Sequence, residues 1–356
     1  MAITWDRRAF LVNSVRAVAG LAVVGGATGL LAACGEATPT TPTGGVKDLG
    51  TLDYQLSWIK NVEFAGQYIA DTRGYYTAAG FSAVNLMAGG PTVSQDSVVA
   101  AGKALVGISS PDITSAAILK GAPLVIIGAQ YQKNPFCIMS LKETGIKTPQ
   151  DMIGKKIGVQ ATNEPVWNAF LKANNIDPSK ITKVPAQFDP QPVVTKEVDG
   201  WFSFFTNEPN LLKTKGIETE VMLLNDHGYP MVSEVYVVRK DSLSSKRDQV
   251  KAMLIGDIKG WKDSVGDAKL GANLAATKYG KDLGLDETEQ TLESAAQNTV
   301  VSTDETKANG LFTITAAKIS ETIATLALAG VTITKDQLFD MSVLTEVYAA
   351  DASLKG

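Results

Sequence analysis

Between Trp58 and Tyr76 the chain reads WIKNVEFAGQYIADTRGYY, and four of its side chains could do recognition chemistry: Trp58, Asn61, Glu63 and Gln67. An indole stacks on a flat ring, while amides and a carboxyl read donors and acceptors along that ring's edge. Glu63 and Gln67 are four residues apart and so share one face of a regular helix. Ala65, Ile69 and Thr72, with Phe64 and Tyr68 beside them, form the stripe expected to pack on a sheet. Asn61 is placed to cap the helix. Tyr75 and Tyr76 follow the expected C-cap Gly74 and read as packing. A solvated helix face for Glu63 and Gln67, and core packing for Trp58, are the plain alternatives.

Further candidates sit where β-rich runs give way to helices. Thr92 follows Gly90-Pro91, and Ser110 follows the run ALVGIS. In QATNEPVW, Thr162 and Asn163 come just after a strand, and Trp167 lies one turn into the next helix. In GWFSFFTNEP, Asn207 and Glu208 take the same position, and strand alternation lets only one parity of the four aromatics face a pocket. NDHGYP carries His227 and Tyr229 to the end of another strand. Each of these residue types also serves as an ordinary helix cap or surface residue.

Much catalytic chemistry is absent. The chain has one histidine and two cysteines, too few for the usual zinc ligand sets. GISSP is not a nucleophile elbow, AAGKAL is not a phosphate loop, and AGG at 88–90 is not a dinucleotide fingerprint. We therefore expect a binding protein rather than an enzyme, with no metal and no cofactor. Beyond residue 34 only Arg73, Arg239 and Arg247 remain as bidentate anion clamps, which weighs against a strongly anionic ligand. The formal charge of -4 carries no basic excess that would suggest nucleic acid.

Stepping along the chain, residues 1–33 read as a signal peptide. Arg7 and Arg8 precede an apolar stretch rich in Gly and Ala. Arg7-Arg8 followed by Phe10-Leu11 resembles a twin-arginine signal, with general secretion as the alternative. Leu31-Ala32-Ala33-Cys34 resembles a lipobox, whose cysteine becomes lipidated and anchors the protein to the outer face of the cell membrane. Removal of 1–33 takes away three arginines and Asp6, leaving -6. Residues 34–50 read as the lipidated cysteine and a Pro/Thr/Gly linker. Cys137, in PFCIMSL, then stands alone and reads as a small core residue.

From residue 51 onward, short β-rich runs alternate with helical patterns, the mark of an α/β fold. Strands are expected at 54–58, 82–87, 104–109, 123–131, 136–141, 156–160, 181–186, 200–205, 219–224 and 233–240. Helices are expected at 62–73, 92–102, 112–120, 164–175, 190–198 and 208–215. Beyond 241 the pattern is helical, at 245–263, 267–281, 287–298, 304–329 and 335–349.

LSWIKNVEFAGQYIADTRGYYTAAGF, MAGGP, VVAAGKALVGIS and ILKGAPLVIIGA, followed by DMIGKKIGV and VDGWFSFFTNEP, resemble the ABC-importer solute-binding proteins. The family includes receptors for thiamine pyrimidine precursors, riboflavin, nitrate, alkylsulfonates and taurine, and the likeness covers roughly residues 52–260. It implies the type-II periplasmic binding fold: two α/β lobes joined by two crossing strands, with a helical C-terminal region. Lobe 1 is expected at 51–138 plus 239–356, and lobe 2 at 139–238. The resemblance further implies a small-molecule ligand held between the lobes, delivery to an ABC permease and its ATPase, and a monomer.

Aromatic and amide-rich candidates with few cations suit a flat nitrogen heteroaromatic, riboflavin first and a thiamine aminopyrimidine precursor next. A nitrate, alkylsulfonate or taurine receptor is the alternative within the class. The enzymatic branch, thiamine-pyrimidine synthases with a pyridoxal-linked lysine, a histidine and a cysteine cluster, lacks its cysteines here. Cys34→Ser is expected to release the protein from membranes on fractionation. A variant that stays membrane-bound would exclude the lipid anchor.

Overall fold

The β-rich runs assemble into two five-stranded sheets in the computed structural model, which describes residues 47–355. The expected signal peptide, Cys34 and the linker up to residue 46 lie outside the described residues. The first sheet holds β1 (Thr51–Gln55), β2 (Ala83–Met87), β3 (Val106–Ser109) and β4 (Leu124–Tyr131). The second holds β5 (Phe136–Leu141), β6 (Lys156–Gln160), β7 (Thr182–Ala186), β8 (Gly200–Phe204) and β9 (Thr219–Leu223). The last strand, β10 (Ser233–Arg239), returns to the first sheet.

The orders are β2-β1-β3-β10-β4 and β7-β6-β8-β5-β9. In each sheet the fourth position is an antiparallel strand that arrives from the other half of the chain: β10 between β3 and β4, and β5 between β8 and β9. This exchange is the type-II arrangement. It also corrects the expected lobe boundaries at 138/139 and 238/239. All of β5 pairs in the second sheet and all of β10 in the first, so the crossings fall at 132–135 and 224–232. Hydrogen-bond pairing, not hydropathy, decides where a strand belongs.

Residues 47–50, expected within the linker, are tied to the body. Leu49 N donates to Gly80 O at 2.9 Å, and Lys47 pairs with Asp248 at 2.9 Å. The expected helix 62–73 is a 3-10 turn, Val62–Phe64, followed by an α-helix, Ala65–Thr72. Residues 65–70 are buried throughout, so the expected stripe is only part of an almost fully enclosed element. This helix lies against the long helix Arg247–Gly266, with Gly66 and Gly260 at the closest approach. Two glycines let the backbones meet and leave room for the Trp261 indole.

Two expected helices break. The run 304–329 splits into Asp304–Asn309 and Ala316–Leu328, and 335–349 splits into Lys335–Leu338 and Ser342–Ala350. Both breaks lie on the free edge of β4. Ala129 N donates to Phe312 O, and Asp340 N to Ile126 O, at 2.9 and 2.8 Å. An uncovered edge strand leaves a row of unpaired backbone groups, and satisfying them outweighs helical propensity. The expected helix 190–198 is confined to Gln191–Val194, and Lys196 takes a left-handed φ of 61°.

Gly66→Ala would drive a methyl group into the Trp261 indole. Overpacking of this kind is expected to cost roughly 1–3 kcal/mol, read as a lowered denaturant midpoint. An unchanged midpoint would mean that the two helices can separate without loss.

Candidate ligand-binding site

Parallel strands of both sheets aim their C-terminal ends into the gap between the lobes, where open α/β sheets place their ligands. A cavity of about 500 Å³, its mouth included, occupies that gap. On the first lobe it is lined by Ser57 and Trp58 after β1, Glu63 in the 3-10 turn, Gln95, Ser109 and Ser110 after β3, Ile113, and Glu234 on β10. On the second it is lined by Gln160, Thr162 and Asn163 after β6, by Phe202 to Phe204 on β8, and by Asn207 and Glu208. Phe136, at the start of β5, closes the base. The aromatic wall is interlocked, with Phe136 edge-on to Phe204 at 4.6 Å and tilted on Phe202 at 5.0 Å between ring centroids.

Glu63 and Glu234 meet at one hydroxyl. Ser57 Oγ lies 2.8 Å from Glu63 Oε1 and 3.0 Å from Glu234 Oε2. A serine has one hydrogen and cannot donate to both. Burial raises both carboxyls: Glu63 to about 7, and Glu234 well above the carboxylate range, where the charge of Glu63 adds to the burial. The two carboxyls are coupled through that one hydroxyl, and burial disfavours a charge on either. The Glu234 backbone takes φ +46° within a strand, a conformation that costs a non-glycine residue on the order of 1 kcal/mol or more. The strain coincides with a break in β4 pairing, where Ser233 and Val235 find partners and Glu234 does not.

On the opposite wall, Glu208 opens the helix Glu208–Thr214 and accepts from Phe204 N at 3.2 Å. Burial pushes its carboxyl up to about 8, and the charges of Glu63 and Glu289 add to this. No lysine or arginine lines the cavity.

The lobes touch at the mouth. Thr162 N donates to Pro91 O, and Thr162 Oγ1 donates to Val93 O, both at 3.1 Å. Near the second crossing, Tyr229 OH donates to Asp112 Oδ2 at 3.0 Å, while the cavity-lining Ser110 hydroxyl donates to Asp112 Oδ1. Asp112 thus joins the cavity wall to the hinge.

Of the residues singled out in the sequence, Trp58, Glu63, Ser110, Thr162, Asn163, Asn207 and Glu208 come together around the cavity. Six do not line it. Gln67 points into the core, donating to Tyr54 OH at 3.1 Å and Gln130 Oε1 at 3.2 Å. The 3-10 turn breaks the helical register, so Glu63 and Gln67 do not share a face. Asn61 caps that turn and donates to Glu293 Oε1 at 3.0 Å. Thr92 is exposed at the mouth loop. Trp167 stands behind the wall, edge-on to Phe202 at 6.1 Å. His227 ends a 3-10 turn, and its carbonyl accepts from Asn174. Tyr229 is buried on Asp112.

Ser57, Gln95, Phe136, Gln160 and Glu234 were missed as site residues. One signal was present: a glutamate inside the apolar strand SEVYVVR has no place in a sheet core without a reason.

The sequence matches the model of proteins described as NMT1/THI5 like over residues 61–268, more than half of the chain. The chain belongs to the NMT1/THI5-like family. This family member is 23% identical over 251 residues to the riboflavin-binding protein RibY of Chloroflexus aurantiacus, across 66% of this chain and 71% of that protein. Over 130 residues it is 25% identical to the 4-amino-5-hydroxymethyl-2-methylpyrimidine phosphate synthase of Legionella pneumophila, across 36% and 41% of the two chains. Its fold matches the periplasmic nitrate-binding protein NrtA of Synechocystis with a TM-score of 0.61 at 12% identity, covering 86% of this chain and 91% of that one. The NMT1/THI5-like chain therefore has the type-II periplasmic binding fold.

The buried carboxyls set a pH dependence. A carboxyl raised by folding binds its proton more tightly in the native state, so its stabilising contribution is full at low pH and is lost as pH rises through the folded value. For Glu208 the loss runs from 4.5 to about 8. Glu208→Gln is expected to leave Tm unchanged near the lower limit. At the upper limit it should raise stability by on the order of 1 kcal/mol or more. Parallel wild-type and variant melting curves across this range would contradict that.

Proposed function

We propose that this chain is the exported solute receptor of an ABC importer and that it captures a flat nitrogen heteroaromatic between its lobes. The observation that carries this reading is the make-up of one cavity: Trp58 and three phenylalanines for a ring, with Ser57, Gln95, Gln160, Asn163 and Asn207 at its edge. Apolar walls with a few convergent polar groups are how proteins hold such rings. The receptor would act as a monomer tethered through lipidated Cys34 and pass its ligand to a permease driven by an ATPase.

Riboflavin is the first ligand to try, in keeping with the likeness to RibY. An aminopyrimidine is the second reading, favoured by a specific observation. Glu63, Glu208 and Glu234 accept hydrogen bonds when ionised, and an exocyclic amine offers donors. A nitrate, alkylsulfonate or taurine ligand would set its anion among these carboxyls with no lysine or arginine beside it. A synthase reading has little support. The described cysteine, Cys137, is buried, and burial holds its thiol well above the reactive range.

Titration with riboflavin, 4-amino-5-hydroxymethyl-2-methylpyrimidine, nitrate and taurine, followed by tryptophan fluorescence, tests the reading. Saturable quenching by a heteroaromatic is expected, with about tenfold weaker binding or worse in Trp58→Ala, equivalent to about 1.4 kcal/mol. Saturation by nitrate or taurine alone would overturn the proposal.

A further inference from the structure

Acidic side chains from both lobes lie in and behind the cavity. The first lobe contributes Glu63 and Glu234, together with Glu289 and Glu293 from the helix Glu287–Val301. The second contributes Glu208, whose helix packs against Glu287–Val301. All five are buried. Burial raises each carboxyl, and for four of them the charges of neighbouring carboxyls add to it: Glu289 and Glu63 act on Glu208, Glu63 acts on Glu234, Asp286 acts on Glu289, and Glu289, Glu63 and Glu208 act on Glu293.

The other groups facing them do not relieve this. Tyr68 and Tyr131 are themselves raised, first by burial and then by Glu63 and Glu293, and Cys137 likewise by burial and then by Glu208. Lys215 lowers Glu289 but is solvent-exposed. Among the described residues none of the five carboxyls enters a salt bridge, and no three acidic, histidine or cysteine side chains converge to hold a metal ion. Glu289 Oε1 and Thr206 Oγ1 are buried without a partner. The contacts that hold the mouth, from Thr162 to Pro91 and Val93, are neutral and bring no charge.

We propose that closure is gated by positive charge that the ligand supplies, so the receptor selects a cationic heteroaromatic ring over its neutral counterpart. This rests on the receptor reading above and deepens it. Glu208 acts as the charge of one lobe, and the Glu63–Glu234 pair, joined at the Ser57 hydroxyl, as that of the other. Two sources of positive charge then compete for the cleft, protons and the ligand. Binding of a ring with a fixed charge displaces protons, so its affinity rises with pH. A neutral ring needs the carboxyls protonated, so its affinity falls.

The test uses the full mature chain and a matched pair of rings, nicotinamide and its N-methyl cation, whose charge does not titrate. Between about pH 6 and about pH 8 the affinity of the cation should rise by up to about tenfold per pH unit for each proton displaced, and that of neutral nicotinamide should not. Glu208→Gln and, independently, Glu234→Gln should flatten that slope. The empty receptor supplies a reading that needs no ligand. Its radius of gyration by X-ray scattering should be smaller at about pH 5.5 than at about pH 8.5, and Glu208→Gln should stay small at both. A radius independent of pH, or a cation affinity flat with pH, would overturn charge gating. Saturable, pH-independent riboflavin binding in the same protein would leave the receptor reading standing. Binding of nitrate or taurine alone would overturn both.

Discussion

The cleft depends on one strand, β10, lying between β3 and β4 in a sheet to which the preceding residues of the chain do not belong. Its antiparallel pairing with both neighbours ties the second crossing to the first lobe. β5 does the same in reverse. Neither lobe can therefore complete its sheet without the other half of the chain, and the two crossings run side by side at the base of the cavity. The same insertion sets the chemistry. Near the start of β10, ahead of the register shift between Tyr236 and Val237, Glu234 adopts a left-handed backbone and reaches the Ser57 hydroxyl. A regular strand would leave this residue paired, with no such strain. The strain is tolerated because six other residues of the strand are held by ladder bonds and burial.

Two opposing tendencies meet in that cavity. The aromatic wall loses little by being dry, whereas carboxyls lose a great deal. An isolated buried charge costs several kcal/mol even after relaxation, so the carboxyls take up protons instead, as the raised values of Glu63 and Glu208 express. Elsewhere in the first lobe a buried carboxyl has hydroxyl donors. Asp257 is fully buried, yet Tyr54 OH donates to it at 2.9 Å and Tyr76 OH donates as well. The core aspartate has its donors in place, while the cleft glutamates share a single serine hydroxyl and a few amides. Burial still raises Asp257 to about 7, so two good donors do not by themselves offset the loss of water.

The succession of strands and helices was legible because its signals are local: β-rich runs, Pro and Gly at helix ends, and a capping asparagine. The loops after β1, β3, β6 and β8, which line the cavity, are legible for the same reason, since in such folds ligands lie where the strands end. What escaped was non-local. The helix breaks at 310–315 and near 340 follow from the free edge of β4, more than 170 residues earlier in the chain. The crossings were placed within β5 and β10 because hydropathy reports burial and not which sheet does the burying. Gln67 was read with Glu63 because a 3-10 turn looks like a helix start in sequence. Glu234 is not legible because its side chain is aimed by a left-handed backbone within the strand, which strand alternation does not foresee.

Contacts of several kinds join the lobes, among them helix Glu208–Thr214 against Glu287–Val301. The mouth is held by two hydrogen bonds from Thr162, each contributing about 0.5–1.5 kcal/mol net. One uncompensated carboxylate in the closed cleft costs more than either of them. In the first lobe Gly66 and Gly260 bring two helices into backbone contact, and the edge of β4 is covered by Phe312 and Asp340. Any ligand of the proposed kind would meet an aromatic wall that sets its shape and three carboxyls, Glu63, Glu208 and Glu234, that set the charge around it.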